Sequence, residues 1–216
     1  MAKKDEKNEE EREVHTLKKE EIENQNKIIK AVFIISIAVI VLFAISSLIF
    51  SGMNKFDYKG IKFQTEKVGS ITFYDTLTLA NSSTGEPFGF RIRTKPSDLK
   101  GIPFENVEGL RLMKVNIISS ENHTFNCGFG AMPITNLQIL FSNMGTSLIQ
   151  DKNSTCDPEG KYNYFTLKYG NETAIREVGN SCYDIVIKGN DNECEILPAT
   201  EKLMVELYAR YLKIQN

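Results

Sequence analysis

One apolar run dominates the hydropathy pattern: residues 31–50 read AVFIISIAVIVLFAISSLIF, with no charged side chain and three serines. As a helix rising 1.5 Å per residue, about 20 residues cover roughly 30 Å, the hydrocarbon thickness of a bilayer. A helix of a soluble core keeps a polar face, and this run has none. A cleavable signal peptide has a short basic start and an apolar stretch of about 7–15 residues. Here the leader is 30 residues long and mixes acid with base. The pattern predicts a single-pass signal-anchor over 31–50, retained in the protein.

Downstream, the periodicity changes. Residues 51–55 form a short link in which Gly52 suits the end of the membrane helix. Fully extended, so short a link reaches at most about 20 Å, which keeps the following domain near the anchor. Within 56–216, strand-like stretches fall at 58–63, 71–79, 88–94, 110–118, 162–169 and 182–187, separated by Gly, Asn and Pro clusters. Two stretches have helical spacing instead. Over 131–144, Ile134, Leu137, Leu140 and Phe141 share one face and Gly145 supplies a stop. Over 199–214, behind Pro198, Leu203, Leu207, Tyr211 and Ile214 share a face, with Glu201 in the first turn. The expected fold class is α+β: a mainly antiparallel sheet domain with two packing helices after the transmembrane helix.

Charge separates the ends of the chain without settling its partners. Residues 1–30 carry eight basic and nine acidic side chains and neither Gly nor Pro, a composition that buries no core. Their apolar residues keep no heptad spacing, so a solvated tail is expected, helical where it joins the span. Four lysines precede the span within fifteen residues (Lys18, Lys19, Lys27, Lys30) and three follow it (Lys55, Lys59, Lys62), a slight lean to a cytoplasmic N-terminus. The residues after the span carry 18 basic and 19 acidic side chains, which gives no electrostatic ground for a nucleic-acid partner.

Cysteines and sequons point the same way. Cys127, Cys156, Cys182 and Cys194 all follow the span, and an even set on one side of a membrane suggests disulfides in an oxidising compartment. Asn81, Asn122, Asn153 and Asn171 each head an Asn-X-Ser/Thr glycosylation sequon in a turn-like stretch. The expected topology places the N-terminus in the cytoplasm and the domain outside the cell membrane. Of three possible pairings, the spacing favours Cys182 with Cys194 across an expected hairpin, and Cys127 with Cys156. Successive gaps of 28, 25 and 11 residues contain no CxxC pair, which disfavours zinc ribbons and thioredoxin-type redox sites.

Little in the chain suggests catalysis. The two histidines are His15 in the tail and His123 inside a sequon, too few for a metal cluster or a His-based triad. No GxSxG, HExxH, Walker or dinucleotide fingerprint occurs, and Gly128-Phe129-Gly130 is too short for a phosphate loop. No catalytic residue, metal site or cofactor is expected. Arg91 and Arg93 alternate on one predicted strand and could hold an anion, although a solvated sheet face is the commoner use of such a pair. Tyr162, Tyr164, Phe165 and Tyr169 could form an aromatic platform, although aromatics at strand spacing are usually core. Asp184 and Glu201 are the acids an enzyme reading would use.

Three functional classes follow: an extracytoplasmic interaction or accessory module contacting another envelope or membrane protein, an enzyme, and a filament subunit. The filament reading rests on Lys30-Ala31 before the apolar run, which resembles the processing context of archaeal type IV prepilins. More broadly, the runs at 58–63 and 71–74, the stretch from Cys182 to Ile196 and the segment 201–207 resemble single-pass surface proteins of archaea of no assigned activity. That resemblance implies a disulfide-containing extracytoplasmic domain and transfers no site residue. The expected role is the non-enzymatic module.

Overall fold

The structure, a computed structural model, describes residues 27, 29–30, 32–46, 54–77, 79–80, 87–120, 131–189 and 196–215. The chain divides into two units, Met1–Met53 and Asn54–Asn216. In the first, residues 32–46 are helical (α1) with apolar side chains exposed along the run. Among the described residues, no helix is long and apolar enough to cross a membrane. Ala31 and residues 47–50, the remainder of the expected span, lie outside the described residues.

The second unit opens with a hairpin. Strand β1 (Lys55–Tyr58) turns through Lys59 and Gly60, both left-handed at φ 57° and 79°, into β2 (Ile61–Val68). Two left-handed residues match the twist of a tight hairpin, and Asp57 Oδ1 accepts the Gly60 N–H at 3.0 Å. The stretch expected as one strand over 58–63 is therefore cut in two by this turn. Strand β3 (Ile71–Thr76) pairs with β2, and the expected strand over 88–94 divides into β5 (Pro87–Phe88), paired with β4 (Leu79–Ala80), and β6 (Arg91–Ile92), paired with β3. The order β1-β2-β3-β6 is antiparallel throughout.

A second sheet follows two 3-10 turns at Asp98–Gly101 and Val107–Gly109. It contains β7 (Val115–Ser120), β8 (Ser147–Gln150), β9 (Asn163–Gly170), β10 (Ala174–Gly179) and β11 (Cys182–Lys188), with α2 (Met132–Asn143) and α3 (Ile196–Gln215) packed on it. Its order is β10-β11-β9-β7-β8. Among the described residues five of the eight strand pairings are antiparallel, but three of the four in this sheet are parallel. The reason lies at the strand starts. Asn163 Nδ2 donates to Arg111 O and Asn116 Oδ1, both at 2.7 Å, and Asn116 Nδ2 donates to Met113 O and Ser147 O, both at 3.0 Å. These two buried amides pin the beginnings of β7, β8 and β9 side by side.

Helix α3 is the centre of the unit. From Ala199 to Ala209 every residue is buried, including Thr200, Glu201, Lys202 and Glu206. Of the face expected from Leu203, Leu207, Tyr211 and Ile214, the first three are buried and Ile214, in the last turn, is exposed; from Ala199 to Ala209 the opposite face is buried as well. Tyr208 packs edge-on to Phe88 and Phe90 at 6.0 and 5.7 Å, and burial raises its phenol to about 12. Glu206 accepts Lys59 Nζ at 2.5 and 2.7 Å and Lys202 Nζ at 2.9 Å. Burial alone would raise its pKa, but the two ammonium groups outweigh it and hold the carboxyl below its ordinary value.

The cysteine pairing differs from expectation. Cys156 bonds Cys182, with Cα atoms 5.8 Å apart. Among the described residues the antiparallel partner of β11 is β10 before it, not a strand after it, and the next described element is α3. The loop before β9 reaches the start of β11, where a Cβ on Gly179 would stand 3.1 Å from Cys156 Sγ. That bond overturns both favoured pairings, since each would use one of these two cysteines. Cys127 and Cys194 lie outside the described residues.

Two outcomes test these contacts. Non-reducing peptide mapping should recover a Cys156–Cys182 linked peptide, and a Cys182–Cys194 link would contradict the fold. In urea unfolding, Glu206→Gln should cost about 3–5 kcal/mol because Lys202 keeps a buried charge with no counter-ion, whereas Lys59→Met, which leaves Lys202 in place, should cost about 1 kcal/mol.

Candidate functional site

The β3–β6 ladder is short for a reason that lies in α3. Tyr74 pairs with Ile92 and Asp75 with Arg91, and the Thr76 N–H donates to Phe90 O at 2.9 Å. One residue further, the ladder stops. The N–H groups of Arg93 and Thr94 donate to Glu201 Oε1 and Oε2 at 2.7 and 2.9 Å, so the chain after β6 turns to the helix. In continued register Thr94 would have faced Thr72. Because the Leu77 N–H bonds β2 at Lys62 O, alternation sends the N–H and C=O of Thr76, Tyr74 and Thr72 toward β6. Those of Thr72 therefore point past the end of the ladder.

Helix α2 stands across that gap. Met132, Asn136 and Ile139, at i, i+4 and i+7, form one stripe along it, and Met132 and Ile139 are 45 and 50% exposed. With Ile71, Phe73, Phe90 and Arg93 they line a groove of about 510 Å³, within the range of ligand-binding clefts. Glu201 closes its inner end. Burial raises the Glu201 pKa, and the hydrogen bonds from Thr94 and Arg93, with the Arg93 charge, lower it without reversing the shift.

The two arginines of the sequence reading flank this groove with different duties. Arg91 is bound to Asp75 and Glu66, and its guanidinium lies 4.7 Å from the Phe73 ring centroid. The hydrogen bond to Asp75 raises its pKa. Arg93 follows β6 rather than continuing it, and lines the groove.

Other candidates are dispersed. Asp184 is bound to Lys168, and by alternation it lies on the face of β11 opposite Tyr183, which stacks on Phe165 beneath α2. Asp184 and Glu201 do not converge. Among the four aromatics, Phe165 is core, Tyr164 Oη meets Ser119 Oγ at 2.6 Å and Ser154 O at 2.7 Å, and Tyr162 Oη donates to Thr155 O at 2.8 Å. Tyr169 packs partly buried against the core, so no platform forms. Asn153 and Asn171 are exposed in turns, where a glycan has room. Asn81, Asn122, His15, His123 and Gly128-Phe129-Gly130 lie outside the described residues. No group of acids, histidines and cysteines suited to a metal ion occurs among the described residues.

Sequence reasoning missed the groove. A signal was present: Met132 and Ile139 are apolar yet fall off the buried face set by Ile134, Leu137, Leu140 and Phe141. The open end of β3 carried no comparable signal, because Glu201 creates it from more than a hundred residues away.

The two buried carboxylates should respond oppositely to pH. Glu201, raised in the fold, contributes stability that is fully present below the ordinary carboxyl value and is lost as pH rises through its folded pKa; Glu206, lowered in the fold, contributes stability present above the ordinary value and lost as pH falls through its folded pKa. Urea midpoints measured from pH 3 to 8 should therefore lose the high-side slope in Glu201→Gln and the low-side slope in Glu206→Gln; curves parallel to the parent would contradict the assignment. No protein-family model, curated protein or solved structure matches the chain.

Proposed function

We propose that the protein is a single-pass, membrane-anchored interaction module, with its α+β unit outside the cytoplasm and the β3–α2 groove as its contact surface. The observation that carries this reading is the exposed Met132–Ile139 stripe facing an unfinished strand edge. The buried acid beside it is committed to two backbone N–H groups, a structural use rather than a catalytic one. The apolar run 31–50 supports the anchor, and the Cys156–Cys182 bond supports an oxidising compartment. Exposure of Asn153 and Asn171 supports glycosylation there, with Asn81 and Asn122 as the other acceptors. The resemblance to single-pass archaeal surface proteins agrees with this topology, and the partner class is another envelope or membrane protein.

Two measurements on protein in native membranes test the reading. Intact mass should retain the N-terminus, carry glycan and change on reduction and alkylation as disulfides require; cysteines that all alkylate without reductant would invert the topology, and loss of the first 31 residues would favour the filament subunit. A photo-cross-linking residue at Ile139 should capture a membrane or envelope protein that the same residue at Val178 does not. Identical products at both positions would remove the groove as the contact surface.

A further inference from the structure

Resting on that reading, we propose that the partner presents an extended peptide segment, which adds as a strand to the β3 edge between β3 and α2. Three observations specify such an occupant. The backbone of Thr72 points past the last β3–β6 pair, between Ile71 and Phe73 of the groove wall, and a backbone N–H and C=O side by side are matched by another extended backbone. A lipid chain would leave them unmet. The edge itself, Ile71-Thr72-Phe73, has no charged residue and no proline of its own, whereas the outer strand β1 carries Lys55 and Asp57; the charge over Phe73, Arg91, is held by Asp75 and Glu66. Opposite it, Met132, Asn136 and Ile139 form a wall one helical stripe long, which gives an added strand a second surface.

The strand that would otherwise fill this place is held away. Arg93 and Thr94 would continue the ladder against Phe73 and Thr72, but both N–H groups are bound by Glu201. Among the described residues no other strand takes their place beside β3. A second copy of the chain fits poorly, because each β3 edge is flanked by its own α2 and two such edges would bring both helices into one gap. The segment recognised has apolar side chains at alternate positions, set on the face shared with Ile71 and Phe73.

The test uses the full chain in detergent. A displayed library of random heptapeptides is selected against it, with Ile139→Asp as the counter-target; Ile139 is half exposed, so the change is tolerated by the fold. The enriched peptide is then synthesised with and without N-methyl groups on alternate amides. The expected result is alternating apolar sequences, at least a tenfold loss of affinity on N-methylation and in Ile139→Asp, and slowed amide exchange at Thr72 in the complex. Enriched peptides whose binding ignores N-methylation, or which leave Thr72 exchange unchanged, overturn strand addition while leaving the groove as a contact surface. Absence of any enrichment over the counter-target overturns the peptide inference, whereas the module reading stands or falls by cross-linking at Ile139. Concentration-dependent protection of Thr72 without peptide would replace the peptide by a second copy.

Discussion

Two carboxylates on a helix that is buried on every side govern the arrangement of the second unit. A buried carboxylate is costly unless charge or hydrogen bonds meet it. Glu206 obtains Lys202 from its own helix and Lys59 from the β1–β2 turn. Glu201 obtains two backbone N–H groups from the segment after β6. Both sources belong to the antiparallel sheet, so the polar contacts of α3 attach that sheet to the same helix that packs on the parallel-rich sheet. Tyr208, between Phe88 and Phe90, adds apolar contact along the same side.

These attachments have local consequences. The left-handed pair Lys59-Gly60 shapes the turn whose lysine reaches Glu206. The capture of Arg93 and Thr94 by Glu201 ends the β3–β6 ladder after two paired positions, and the groove against α2 exists because of that early ending. An interaction that satisfies a buried carboxylate thus also leaves, among the described residues, an incompletely paired edge. In the other sheet, the Cys156–Cys182 bond ties the loop before β9 to the start of β11.

Much of the local structure was legible in the chain. Residues 71–76, 163–170 and 182–188 form strands close to the stretches expected, and α2 falls within one residue of its expected ends. These elements share a strong apolar period and clear punctuation, such as Gly145 after α2. Boundaries failed where a turn has no strong composition signal: Lys59-Gly60 sits inside an apolar alternation, and Pro198 lies inside α3 rather than before it. Proline is compatible with a first turn, where no intrahelical N–H is needed. Strand β8, only four residues long, was too short to register as a period.

The sequence by itself determined the apolar run, the tail that buries no core, the α+β class and the even set of cysteines beyond the run, because each follows from composition or from a period within one segment. Only tertiary structure decided the parallel order of β7, β8 and β9, the Cys156–Cys182 pairing, the burial of α3 on all faces and the groove at β3. Each of these depends on a contact between residues distant in the chain: Asn116 with Asn163, Cys156 with Cys182, Lys59 with Glu206, Glu201 with the backbone of Arg93 and Thr94. A local period records which side chains avoid water. It carries no record of which distant hydrogen-bonding group will meet a buried charge.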